Sequence, residues 1–275
     1  MESFSRELAT ASDLAVHAGA HILGYHGKDV AVDRKAGDEP VTRADREASE
    51  LILDGLHREF PGDIMISEEA PDDPARLMPG VRVWFVDPLD GTRDFIRGHD
   101  GFAVMIGLVV GGRPRLGVVY QPIGSRLFFA APGVGARLRS PDGERVLHCS
   151  TVSDLAEIRL VASKSHRTGK IDEIKGALGI SSELNIGSVG LKLGLIALAE
   201  RDLYVNPSSK SKAWDTCAPE AILEEAGGKI TDLWGHPLRY DQEDLRNLRG
   251  LVASNGFLHA SVLEKLRPLF PEPPE

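Results

Sequence analysis

The chain has 275 residues and a formal net charge of −9, with 32 Lys and Arg against 41 Asp and Glu. That length holds one large domain or two medium ones with a real core, and the ordinary globular composition excludes a disordered or fibrous chain. The acidic balance argues against non-specific binding to nucleic acid or an anionic membrane, because both need a net positive face; one small phosphorylated ligand stays open if cations gather locally.

Residues 5–25 read as an amphipathic helix with Leu8, Ala11, Ala15, Ala18 and Ile22 on one stripe. This polar start is unlike a signal peptide. "KAGDEPVTRAD", residues 35–45, reads as a polar loop ending at a helix start. The helix from Ala44 to about Phe60 buries Ala48, Leu51, Ile52 and Leu56; "PGD" breaks it, and "IMISEEA" is a short strand ending in two glutamates. Val83 to Val86 read as a buried strand. "FAVMIGLVVGGRPRLGVVYQP" reads as a hairpin turned at Gly111-Gly112, continued by "RLFFAA" and "GARLRS". "FAVMIGLVV" is the longest apolar run, about half of a ~20-residue membrane span. No membrane partner is expected.

The second half alternates. "IRLVAS" is a strand, 168–179 a helix, "LNIGS" a strand, 188–200 a helix and "DLYVNP" a strand. "DTCAPEAILEEAGG" is a helix closed by Gly227-Gly228, and "KITDL" and "GLVAS" are strands. Strand–helix alternation implies a partly parallel sheet. A boundary near residues 145–157 separates 1–150, helices plus a largely antiparallel sheet, from 151–275, an α/β unit. Cys149 and Cys217 form no disulfide framework or zinc spacing, which suits a reducing cytoplasm.

Several motifs are decoys. His17 and His21 have metal-ligand spacing on a helix but lack the glutamate of H-E-x-x-H, so an exposed helix face is the better reading. "PGVGARL" lacks the third glycine of a dinucleotide loop, "HRTGK" lacks the first glycine of a phosphate loop, and no G-x-S-x-G elbow occurs.

"DPLDGT" is different. Asp87, Pro88 and Gly91 suit a type I turn, but such a turn needs neither Thr92 nor a second acidic strand end. Glu68 and Glu69 supply that end. Three carboxylates converging at strand ends describe a site for a hard cation, and Mg²⁺ takes oxygen ligands while leaving room for water and phosphate. Asp215 stands at a helix start, where N-capping is the plain alternative. Asp45 fits a capping box with Thr42. Singly each acid has an innocent explanation; five acids at element ends are harder to dismiss.

"ISEE", "WFVDPLDGTRDF" and "WDTCAPEAILEEAGG" together resemble the motifs of the inositol monophosphatase superfamily, Mg²⁺-dependent and lithium-sensitive phosphatases that include fructose-1,6-bisphosphatases and 3′(2′),5′-bisphosphate nucleotidases. The resemblance runs from about residue 5 to 258. It implies a layered α-β-α-β-α fold of mixed α+β and α/β character. It assigns Glu68, Asp87 and the Leu89 carbonyl to one Mg²⁺, and Asp87, Asp90 and Asp215 to a second. Asp45 would help hold a third ion, so two to three ions are expected. Thr92 and Glu68 would orient the attacking water, with Gly91 and Thr92 also touching substrate.

Substrate choice is read elsewhere. "VASKSH" resembles the S-[RK]-S-H segment of the nucleotidases that cleave 3′-phosphoadenosine 5′-phosphate. A bisphosphate needs cations for the phosphate that is not cleaved. His166, Arg167, Lys192, Lys210 and Lys212 lie in segments that would face it, with surface charge the preferred reading for Arg167 and Lys210. Ser188 and Lys192 in "GSVGLK" are assigned to substrate, although that spacing resembles inositol monophosphatases. Ser208 stands where inositol monophosphatases typically carry a glutamate for ring hydroxyls. The expectation is a cytoplasmic 3′(2′),5′-bisphosphate nucleotidase, monomer or homodimer, acting on a small phosphorylated substrate rather than a nucleic-acid polymer. Inositol or sugar phosphate hydrolysis, and a catalytically silent phosphate-binding homologue, are the alternatives.

Overall fold

The computed structural model describes residues 4–28, 31–35, 39–164 and 169–271. In chain order the elements are α1 (Ser5–Leu23), β1 (Val32–Arg34), β2 (Pro40–Thr42), α2 (Arg43–Glu59), β3 (Ile64–Ser67), β4 (Arg82–Asp90), α3 (Thr92–Ile96), β5 (Ala103–Val110), β6 (Arg113–Gln121), β7 (Arg126–Ala131), β8 (Gly135–Ser140) and β9 (Gly143–Val146). They continue with β10 (Arg159–Ser163), α4 (Gly169–Leu178), β11 (Ser182–Ile186), α5 (Val189–Ala197), β12 (Leu203–Asn206), α6 (Ala213–Glu225), β13 (Lys229–Thr231), β14 (Leu251–Ser254) and α7 (His259–Leu266).

Two sheets carry the architecture. β3 to β9 form a seven-stranded sheet in sequence order, antiparallel except for the parallel pair β3–β4. β11-β10-β12-β14-β13 form a five-stranded mixed sheet. The apolar stripe of α1 is buried as its spacing predicts, and α1 and α2 cover one face of the larger sheet. α5 and α6 lie between the sheets, and α4 and α7 cover the far face of the smaller one. The layers therefore run α-β-α-β-α. Among the described residues no helix is long and apolar enough to cross a membrane.

Several boundaries differ from the sequence reading, each for a local reason. The polar loop expected over 35–45 contains β2, which pairs with β1 in a small hairpin. The buried strand of 83–86 extends to Asp90. The strand read at 184–188 stops at Ile186, because Ser188 caps α5 by accepting the Leu191 N–H. α5 ends at Ala197 rather than near residue 200, since Ala199 takes a left-handed φ of 60° that ends a right-handed helix. α3 and β9 are too short to show a period of their own, whereas α7 has an apolar stripe, marked by Val262 and Leu266 buried one turn apart, that sequence reasoning passed over.

α6 rests directly on the backbone of β5 and β6. A Cβ built on Gly117 would lie 2.0 Å from the Ala218 carbonyl oxygen, and one on Gly107 2.7 Å from the Ala218 nitrogen. Only glycine lets the helix come so close. Gly117→Ala is expected to cost about 1–3 kcal/mol, seen as a lower urea midpoint at unchanged slope. Gly62→Ala, which meets nothing within 4 Å, should leave the midpoint nearly where it is; equal effects would contradict this account of the packing.

Candidate active site

Asp87 and Asp90 lie three residues apart on β4. On a regular strand that spacing would send them to opposite faces. The pairing with β5 steps from Asp87 opposite Met105 to Asp90 opposite Ala103, three residues on β4 against two on β5. The extra residue is a bulge at Pro88-Leu89, where proline has no N–H to contribute to the ladder. It returns Asp90 to the side of Asp87, and both line one cleft. Within the bulge the Leu89 N–H donates to Asp87 Oδ1 at 3.0 Å.

Gly91 then turns the chain at φ 97°, and a Cβ there would lie 2.6 Å from the Gly101 carbonyl oxygen. Conformation and space both require glycine. Thr92 opens α3, with its hydroxyl 3.0 Å from the Leu89 carbonyl oxygen and 3.1 Å from Asp45 Oδ1. One hydroxyl proton serves one of these acceptors at a time.

The remaining acids arrive from three other elements. Glu68 follows β3, whose Ser67 pairs with Val86, so it emerges beside Asp87. Asp215 sits in the first turn of α6 and its Oδ2 accepts the Lys212 N–H at 2.8 Å. Ligand oxygens of Glu68, Asp87 and Asp215 lie within 4.8 Å of one another. Asp90 lines the same cleft, and its Oδ2 accepts from the Ser188 hydroxyl at 2.6 Å and the Gly190 N–H at 2.9 Å. Asp45, in the first turn of α2, takes the Thr42 N–H on Oδ2 at 2.8 Å and faces Thr92 with Oδ1. Capping and site roles coincide in Asp45 and Asp215.

Burial pushes the Asp87 carboxyl well above the ordinary carboxylate range, and the charges of Glu68, Asp90 and Asp215 add to it. Asp215 is raised in the same way, by burial and then by Glu68 and Asp90. Burial also raises Asp90, opposed by Lys192 and by the two hydrogen bonds above. Carboxyls raised on folding bind more protons in the folded chain than in the unfolded one. Without a cation, stability is therefore present at low pH and falls as pH rises from about 4 toward the raised values. An all-oxygen set of crowded carboxylates is what a hard divalent cation requires, and its charge would remove the repulsion. One internal cation already reaches in: Lys35 Nζ is 3.0 Å from Glu68 Oε1 and also pairs with Glu69.

The residues assigned to substrate divide. Gly91 and Thr92 line the cleft. His166 and Arg167 lie outside the described residues. Ser188 is fully buried, with its hydroxyl given to Asp90 and its lone pair to the Leu191 N–H, so here it meets Asp90 and the helix. Lys192 reaches the cleft wall but is 1% exposed, donates to the Gly187 carbonyl and lies over the Tyr204 ring. Burial lowers its ammonium to about 8, against the pull of Asp90, Asp215 and Asp94. Its ammonium is thus held inside the wall on the Gly187 carbonyl. Lys212 pairs with Glu39 at 3.1 Å. Lys210, read as surface charge, is exposed yet lines the cleft. Sequence reasoning passed over Arg93, Asp94, Ser163, Tyr204 and Asn206, which also line it. For Arg93 and Asp94 the signal was their place directly behind the D-P-x-D-G-T motif.

Comparison with known proteins finds relatives over most of the chain. The model of the inositol monophosphatase family matches residues 5–269. The 3′(2′),5′-bisphosphate nucleotidase CysQ of Shigella flexneri is 37% identical over 229 residues, 82% of this chain and 91% of that protein. Among solved structures, CysQ from Bacteroides thetaiotaomicron has a TM-score of 0.77 at 30% identity, over 92% of this chain and 98% of that one. An IMPase of Thermotoga maritima has a TM-score of 0.83 at 24% identity, over 97% and 98%, a likeness of fold.

The repulsion has a measurable sign. Asp87→Asn should make the metal-free protein more stable at pH 7, by ~2–4 °C in melting temperature for each kcal/mol of repulsion removed. It should also shrink the further rise that added Mg²⁺ produces. Melting curves in EDTA and in Mg²⁺ check this; a variant less stable than the parent in EDTA would contradict the electrostatic account.

Proposed function

The chain belongs to the inositol monophosphatase family, and on that footing we propose that it is a Mg²⁺-dependent phosphomonoesterase removing the 3′-phosphate of 3′-phosphoadenosine 5′-phosphate to leave AMP and phosphate. The observation that carries the reading is the single cleft in which the oxygens of Glu68, Asp87 and Asp215 converge beside Asp90 and Thr92. The 37% identity to a bisphosphate nucleotidase supports the choice of substrate. So does the wall at Ser208, where a neutral hydroxyl that donates to Asn206 Oδ1 at 2.8 Å stands in place of the glutamate typical of inositol monophosphatases.

Glu68, Asp87 and the Leu89 carbonyl would hold one Mg²⁺, Asp87, Asp90 and Asp215 a second, and Asp45 would support a third. Ions bound there supply positive charge for the attacking and leaving oxygens of an in-line displacement. The chain's own contribution is positioning and proton transfer. Thr92, fixed by the turn at Gly91, orients the attacking water together with Glu68. As that water gives a proton to the threonine oxygen, the hydroxyl proton passes to Asp45. Burial raises the Asp45 carboxyl, which makes it a better proton acceptor than an ordinary aspartate. The enzyme works in the cytoplasm as a monomer or homodimer.

A phosphate-release panel in Mg²⁺ with the bisphosphate nucleotide, inositol 1-phosphate and fructose 1,6-bisphosphate tests the assignment. The bisphosphate nucleotide should lead in kcat/KM, and a lead by either other substrate would overturn the proposal. Asp90→Asn should lower the rate at least ~10³-fold, the scale of several kcal/mol of charge stabilisation, while the variant keeps its melting transition. Lithium at millimolar concentration should inhibit, because a singly charged ion stabilises the leaving oxygen less.

A further inference from the structure

Among the described residues six acids line or edge the cleft, Glu39, Glu68, Asp87, Asp90, Asp94 and Asp215, against three cations, Arg93, Lys192 and Lys210. Most of the cations in this neighbourhood are already engaged. Lys192 is buried, donates to the Gly187 carbonyl and lies over the Tyr204 ring. Lys35 holds Glu68 and Glu69, and Lys212 holds Glu39. Lys164 lies 3.0 Å from His99 Nδ1 and 3.8 Å from Asp94. Arg93 and Lys210 are the exceptions: both line the cleft, and neither has an acid or a hydrogen-bond acceptor among the described residues.

Arg93 is also held in place. It follows Thr92 on the short helix that starts at the Gly91 turn, so its backbone is fixed by the same bulge that sets Asp87 and Asp90. Asp94, next in sequence, does not neutralise it. That carboxylate is 1% exposed and faces His99 and Lys164. A Cβ on Gly101 or Gly187 would come within 2.3 or 2.6 Å of its Oδ2, so the two glycines close around it and anchor the helix.

We propose that Arg93 and Lys210 hold the second, uncleaved phosphate of the substrate, a reading that rests on the bisphosphate assignment above. A guanidinium offers a planar fork to two phosphate oxygens, and an ammonium a mobile point charge. One dianionic phosphate satisfies both cations at once. In a cleft with excess acid these two charges also decide which anions enter, because a substrate without the second phosphate gains nothing from them. The role that sequence analysis gave to Lys192 passes to cations that are free to take it.

The test compares Arg93→Gln, Lys210→Gln and the double variant on 3′-phosphoadenosine 5′-phosphate and on 3′-AMP, which lacks the 5′-phosphate. Each single variant should lose ~10- to 150-fold in kcat/KM on the bisphosphate, carried mainly by KM, and much less on 3′-AMP. Inhibition by 5′-AMP should weaken in parallel, and Arg93→Lys should recover part of the loss. Equal losses on both substrates would overturn the inference, since they would place these residues in the metal site or in folding. A preference for the bisphosphate that survives both substitutions would overturn this inference alone. A parent enzyme with no such preference would overturn it together with the nucleotidase reading.

Discussion

Carboxylates drawn together into a buried cleft repel one another, and most of this site is arranged around that fact. Asp87 and Asp215 are raised well above the ordinary range by burial and by their neighbours. The fold tolerates this because several donors sit behind the acids. Leu89 N–H serves Asp87, Ser188 and Gly190 serve Asp90, and Lys212 N–H serves Asp215. None of these carries a full charge, so the net repulsion persists, and a divalent cation bound among the acids would relieve it.

Two backbone devices bring the acids close. The bulge at Pro88-Leu89 turns a three-residue spacing into a same-face pair. The glycines of β5 and β6 let α6 sit against the sheet backbone, and α6 carries Asp215 in its first turn. Both Asp215 and Asp45 accept the N–H of their N-cap residue. A helix start favours negative charge, so each helix lowers the cost of holding an acid at the cleft. Capping is part of how the site is built, and the two explanations for these acids are one.

The cations divide by burial. Lys192 is buried on the Gly187 carbonyl and burial lowers its ammonium to about 8, an internal counter-charge that offsets part of the rise of Asp90. Arg93 and Lys210 keep their charge toward the cleft space. Ser188 joins the first group, since its hydroxyl supports Asp90 from behind. The cleft wall combines Gly91, Thr92 and Arg93 beside the motif, Ser208 and Lys210 after β12, and Gly187, Val189 and Lys192 around the start of α5.

Much was legible in the residues alone. The stripe of α1, the hairpin at Gly111-Gly112 and the strand–helix alternation of the second half all come from short-range periodicity and turn chemistry, which are local. The acids Glu68, Asp87, Asp90 and Asp215 were found because each stands at an end of a recognisable element, Asp215 at a helix start, and the D-P-x-D-G-T motif marks its own neighbourhood. Local pattern has no access to burial or to partners far away in the chain. Ser188 and Asp90 are 98 residues apart in sequence, and only packing makes one the support of the other. The face that Asp90 takes depends on a bulge defined by its pairing with β5. Lys192 and Lys210 look alike in sequence, yet one is buried on a backbone carbonyl and the other stands exposed at the cleft, because burial is decided by what surrounds a side chain in three dimensions.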